Sequence, residues 1–229
     1  MKSFGAPTLG RLMAGLAFLL AAAALQPAAA EETMSFQLVT LGSRHCGRNC
    51  PQVIFAQGQI DEGTADQLLR FVQENVRSGE LHRIVLLDSP GGRVIASMEL
   101  GLTLRRLGMA VIVARPGGES AQNGNLYSGR CYSACVYALM GGKRRVIPPQ
   151  SKVGVHRMFN YTTNFSFSEG VTHERYVDDG DMRRKLSHYT QSMGVDSGLI
   201  DLAERTSPDY LHLLTPSEIS RWRLGSQRL

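Results

Sequence analysis

From residue 34 onward, short apolar runs alternate with amphipathic stretches in a regular order. Phe36 to Leu41 and Gln52 to Gln57 read as strands. Arg83-Ile84-Val85-Leu86-Leu87 is nearly continuous in apolar character, as a strand reads when both faces of its sheet are covered. Ala110 to Ala114 has the same character. Between these runs, Thr64 with Gln67 three residues on has the capping-box pattern of a helix start. Leu68, Leu69, Phe71, Val72 and Val76 give that helix an apolar face at roughly helical spacing. A second helix is predicted from about Val94 to Leu107, stopped by Gly108, a residue type suited to the position after a helix end.

Arg115 to Arg130 breaks the pattern: with Pro116, four glycines and few core residues, it predicts a long surface loop. A helix starting near Cys131 carries Ala134, Val136, Tyr137, Leu139 and Met140 and ends at Gly141-Gly142. Arg144 to Ile147 and Lys152 to His156 read as short strands separated by Pro148-Pro149. A polar and aromatic loop over 157–168, a helix of about 20 residues from Glu169 and a shorter helix from Ser197 to Arg205 follow. Thr215-Pro216-Ser217-Glu218 is a strong helix start, with a capping threonine, proline at the first helical position and a capping-box glutamate. This order predicts an α/β fold with largely parallel strands and C-terminal helices.

The first thirty residues are of another kind. Lys2 and Arg11 precede an apolar stretch from Leu12 to Leu25, and Ala28-Ala29-Ala30 comes before Glu31-Glu32. That is the pattern of a secretory signal peptide cleaved after Ala30. The apolar run falls short of the ~20 residues that span a bilayer, so no stable membrane span is expected after cleavage, and the destination is periplasmic or secreted. The remaining 199 residues suit a single domain, 31–229. Losing Lys2 and Arg11 lowers the formal charge from +5 to about +3. That weak, scattered charge argues against a nucleic-acid partner. Cys46, Cys50, Cys131 and Cys135 are disulfide candidates in an oxidising compartment, with three pairings open and zinc as the competing reading.

Three features carry candidate chemistry. Ser89-Pro90-Gly91-Gly92 ends the apolar strand in a sharp turn, where the N–H groups of Gly91 or Gly92 can meet a developing oxyanion. Ser133, inside Cys131-Tyr132-Ser133-Ala134-Cys135, opens a predicted helix whose free N–H groups, that of Ala134 among them, can join the same task. His156 ends Val153-Gly154-Val155, where a strand delivers it to the same sheet edge. Imidazole, with an ordinary pKa of about 6.5, suits a general base at neutral pH.

Taken in this order, the segment Phe55 to Met158 resembles the proteolytic subunit of Clp protease. Gly58-Gln59-Ile60 with Thr64-Ala65 looks like that family's first strand and helix, and Asp88-Ser89-Pro90-Gly91-Gly92 like its oxyanion turn. Tyr132-Ser133-Ala134 sits where its nucleophile does, Gly142-Lys143-Arg144-Arg145-Val146-Ile147-Pro148 looks like the segment after it, and Val153-Gly154-Val155-His156 matches the histidine strand. Signal peptide peptidases and crotonases share the fold, but the former use a Ser–Lys pair, and a crotonase-type acyl-CoA reading leaves the pairing of Ser133 with His156 unexplained. The resemblance implies a spiral of ββα units and a serine hydrolase acting on polypeptide through an acyl-enzyme. Ser133 is then the nucleophile, His156 the base, and Gly91, Gly92 and Ala134 the oxyanion donors. No cofactor or metal is implied, and homo-oligomers are common among relatives. The third triad member stays open between Glu204, Asp209 and a simple dyad. Tyr132 stands where the family has a small residue, which keeps a catalytically inactive binding or assembly protein as the alternative.

Overall fold

The chain alternates strand and helix as its apolar pattern predicts, and the computed structural model describes residues 32–41, 50–75, 81–117, 126–166, 170–176 and 180–228. The predicted export signal, Cys46, Val76 and Glu169 lie outside the described residues. Strand β1 (Ser35–Thr40) pairs antiparallel with β2 (Gln52–Gln57), Ser35 opposite Gln57. Helix α1 (Thr64–Asn75) then leads to β3 (Leu81–Asp88), and α2 (Val94–Arg106) to β4 (Ala110–Pro116). β2, β3 and β4 are parallel. Alternate residues of these strands enter two cores. Ile54, Ala56, Val85, Leu87, Val111 and Val113 face the helices. Val53, Phe55, Leu86, Ile112 and Ala114 build a smaller cluster with Val146 on the other face. That double burial is why these strands lack polar alternation.

The predicted capping box at Thr64 does not form. The Asp61 N–H donates to Thr64 Oγ1 at 3.0 Å and the Gln67 N–H donates to the Gly63 carbonyl, so Thr64 is inside the first turn. Gly108, at φ +69°, does end α2 as expected.

Two loops of the sequence reading contain strands. β4 runs on through Pro116, and β5 (Leu126–Ser128) folds back antiparallel on its end, Ala114 opposite Ser128. β6 (Arg130–Tyr132) follows, where a helix was expected near Cys131; α3 begins only at Cys135 and runs to Met140. β7 (Arg144–Val146) adds to the main sheet parallel to β4, and β8 (Lys152–Val155) pairs parallel with β6. The segment expected as a loop and the start of a long helix is a hairpin of β9 (Asn160–Ser166) and β10 (Gly170–Tyr176), paired throughout. Its Tyr, Thr, Phe and Val content suits strands. Helices α4 (Asp181–Ser192) and α5 (Gly198–Arg205), short β11 (His212–Leu213) and α6 (Pro216–Arg221) complete the chain. The Thr215–Glu218 capping box is fully formed. Although burial alone would raise it, the Thr215 and His212 hydrogen bonds hold the Glu218 carboxyl below its ordinary pKa.

The site depends on one junction. β11, β8 and β6 form a second, small sheet, and Ser89 bridges to Cys131. The end of β3 therefore meets the end of β6, whose neighbour β8 leads into His156. Among the described residues no helix is long and apolar enough to cross a membrane.

Candidate active site

The turn after β3 is held from below. Buried Asp88 accepts the Arg130 N–H at 2.7 Å, and fully buried Ser89 exchanges backbone bonds with Arg130 and Tyr132. Gly91 and Gly92 lie at φ +117° and +139°, a region that L side chains rarely adopt. A Cβ on Gly91 would stand 2.7 Å from the Tyr132 carbonyl oxygen, and one on Gly92 would press on the Ile60 backbone.

The two glycine amides differ. Gly91 donates its N–H to Ser89 Oγ at 3.1 Å, inside the turn. The N–H of Gly92 finds no acceptor among the described residues, because the Ile60 bridge uses the Gly91 carbonyl and the Arg93 N–H. The N–H of Ala134 is likewise without an acceptor among the described residues. Of the three expected oxyanion donors, Gly92 and Ala134 have amides available to a ligand. Gly91 shapes the turn.

Ser133 sits on a strand-to-helix elbow at φ +54°, in the left-handed region and not in a helical first turn as the sequence suggested. Its N–H donates to Gly154 on β8 at 2.9 Å, and its carbonyl accepts from Val136 at 3.1 Å. Left-handed backbone at a serine is uncommon, and surrounding bonds must enforce it. The Cys131–Cys135 disulfide closes around this elbow. Cys50 is also disulfide-bonded, which sets aside zinc held by all four cysteines. Among the described residues no cluster of three or more His, Cys, Asp or Glu could hold a metal.

His156 shares a cavity of about 870 Å³ with Ser133, Ala134 and Gly92. Its Nδ1 lies 3.0 Å from the Arg157 carbonyl oxygen. A carbonyl only accepts, so in this contact Nδ1 is the donor. No hydrogen bond joins Ser133 Oγ to the ring in the described structure; such pairs are often long without substrate and tighten when it binds. Glu204 makes its bond to Arg157 Nε at 3.1 Å and not to His156. Asp209 lies exposed in the turn after α5, its N–H on Ser207 Oγ. Val94, Ile95, Tyr137, Met158, Phe159 and Met182 give the cavity its apolar wall. Burial, with Glu204 adding to it, pushes the Tyr137 phenol far above its ordinary pKa, so it stays neutral. Sequence reasoning missed Ser89 as the anchor of Gly91 and the Arg157 carbonyl as the partner of His156. The first was legible in Ser-Pro-Gly-Gly; the second is backbone geometry and left no signal.

Two solved structures of the 1510-N membrane-bound stomatin-specific protease are similar to this chain. One is a serine-to-alanine variant; the other is a lysine-to-alanine variant in complex with a substrate peptide. Each superposes with a TM-score of 0.50 at 20% identity, over 76% of this chain and 78% and 74% of the respective neighbours. The chain has the Clp protease/crotonase fold. No family model and no curated protein sequence matches it. Within this Clp-like fold, the order of turn, nucleophile-type elbow and histidine strand is the order read from the sequence.

Proposed function

We propose that this protein is an exported serine hydrolase that cleaves polypeptide through an acyl-enzyme on Ser133. The observation that carries the reading is the left-handed elbow at Ser133, facing a cavity shared with His156 and two acceptor-free amides. His156 Nε2 takes the proton as Ser133 Oγ bonds to the substrate carbonyl carbon. The oxyanion that results rests on the N–H groups of Gly92 and Ala134. His156 then gives the proton to the departing amine, and water, deprotonated by the same nitrogen, releases the acyl group. The Arg157 carbonyl helps to orient the imidazole through Nδ1. A neighbour of the same fold, solved with a substrate peptide, supports polypeptide as the substrate class. The signal-like first thirty residues and the disulfides both fit an oxidising compartment outside the cytoplasm.

Treatment of the mature chain with a fluorophosphonate tests the nucleophile. Mass spectrometry is expected to place one adduct on the peptide containing Ser133. No adduct, or one on another residue, removes the assignment. The Arg157–Glu204 bond is the observation that favours a non-catalytic binding protein, and that reading expects no adduct at all. For the oxyanion pair, Gly92→Ala keeps the N–H but sets a Cβ against the Ile60 backbone and so turns the amide aside; kcat is expected to fall by about 10²–10³-fold, the usual cost of one oxyanion donor. A loss below about threefold in a folded variant would take Gly92 out of that role.

A further inference from the structure

The disulfide lies at an unusual place for a structural staple. Cys131 is the middle residue of β6, paired with Val153 and bridged to Ser89, and Cys135 is the first residue of α3. Their bond encloses only Tyr132, Ser133 and Ala134, with Cα atoms 5.3 Å apart. Those three residues hold the proposed nucleophile and one amide of the proposed oxyanion pair. Both cysteines are fully buried.

A sequence separation of four makes this one of the shortest loops a disulfide can close. Stabilisation through the unfolded chain grows with the logarithm of loop length, so this bond contributes least there. Its local effect is larger. Ser133 is held at φ +54° by two backbone bonds, to Gly154 and from Val136. The covalent link between the strand before the elbow and the helix after it is the third restraint. Without it, a serine relaxes toward ordinary right-handed or extended backbone, and that rotation moves both Oγ and the following N–H.

We propose that the Cys131–Cys135 disulfide is a positioning group for Ser133, and that its redox state sets hydrolytic activity. The proposal rests on the hydrolase reading above. In the activating step the two thiols lose two protons and two electrons and form the S–S bond. The oxidant is a disulfide-bearing thiol oxidase of the export compartment, which leaves as a dithiol. A dithiol reductant reverses the step. The chain is therefore inactive before it reaches an oxidising compartment and active after.

The experiment uses the mature chain with Cys46→Ser and Cys50→Ser, so that one disulfide remains to be varied. Oxidised, dithiothreitol-reduced and re-oxidised samples are compared, with the thiol state read by mass spectrometry. Reduction is expected to lower the fluorophosphonate labelling rate and kcat by about 100-fold, the cost of misplacing a reacting group by about 1 Å. KM should hold within about twofold, because most of the apolar wall (Val94, Ile95, Met158, Phe159 and Met182) lies outside the elbow, and re-oxidation should restore the rate. Cys131→Ala with Cys135→Ala should match the reduced form and keep a cooperative thermal transition. Hydrogen exchange should rise over 131–136 and not in α2. Equal labelling rates in the two redox states overturn the proposal while leaving the hydrolase reading intact. A loss that comes only with collapse of the thermal transition, or with KM rising in step, makes the bond merely structural and overturns it as well. If the oxidised chain takes no label, the hydrolase reading fails, and exchange at the Ser133 amide decides alone: unchanged protection on reduction overturns the positioning role, and lost protection upholds it.

Discussion

Under the proposed mechanism, Ser133→Ala is expected to lower hydrolysis of a peptide substrate by about 10⁴–10⁶-fold, and His156→Ala to bring it to a similar floor. The size follows from what each group does. Without Oγ there is no acyl-enzyme, and without Nε2 the hydroxyl keeps its proton at the moment of attack. Each loss disables the same step, so the double variant is expected at the same floor and not at the product of the two effects. The residual rate comes from the amides of Gly92 and Ala134 and from binding in the cavity, neither of which the substitutions touch. Alanine at φ +54° keeps the strain of the elbow, at a cost of about 1–2 kcal/mol that serine already bears. The melting temperature of Ser133→Ala should thus stay near that of the parent. Ser133→Gly, which relieves the strain, should be equally inactive and no less stable. Steady-state kinetics on purified mature protein decide it. Loss of less than about tenfold in either single variant places the nucleophile or the base elsewhere.

How far this site could be read in the sequence varies by element. β2, β3 and β4 were legible because burial on both faces leaves near-continuous apolar runs, and α2 because Gly108 marks its end. The Thr215 capping box was legible because all its partners lie within four residues. β5 and β6 were not. Each is three residues long, too short to show a period, and each is fixed by a partner far along the chain. That is why Cys131 read as helical and Ser133 as a helix cap. The hairpin of β9 and β10 carried strand-forming residues, but its first strand read as a polar loop and its second as the start of a helix. Ser133 and His156 were singled out as candidates through motif order along the chain. Choosing between Gly91 and Gly92 needed the direction of each N–H, which the Ser89 hydroxyl decides and no spacing rule reveals.

Arg145→Met is expected to destabilise the chain by about 3 kcal/mol, although Arg145 touches no residue of the site. Half-buried on β7, its guanidinium has no carboxylate partner among the described residues. It donates instead to backbone carbonyls: Leu224 at 2.7 Å, Arg223 at 2.9 Å, Met193 at 3.1 Å, and Met140 and Gly142 at 3.2 Å. Met140 ends α3, Met193 caps α4, and Arg223 and Leu224 follow α6. A cation at three helix C-termini answers three negative dipole ends at once. Burial, with Arg105 nearby, lowers the Arg145 pKa, yet the carbonyls keep the charge solvated. Arg105 also reaches the Met193 and Met140 oxygens, so those two keep a donor in the variant. The oxygens of Gly142, Arg223 and Leu224 lose theirs, and the tail after α6 is left with its backbone bridge at Ser226 as its tie to β7. Arg145→Lys keeps the charge but not the planar fork, and should recover less than half of the lost stability. Urea titration with the slope held constant measures both variants, and the melting temperature should fall by about 6–12 °C in the methionine variant. A shift within about 0.5 kcal/mol would mean that water replaces the guanidinium at little cost. Below the transition, fluorophosphonate labelling of Ser133 should proceed at the parent rate, because α3 is anchored at the elbow by Gly154 and the disulfide and at its far end by Arg105.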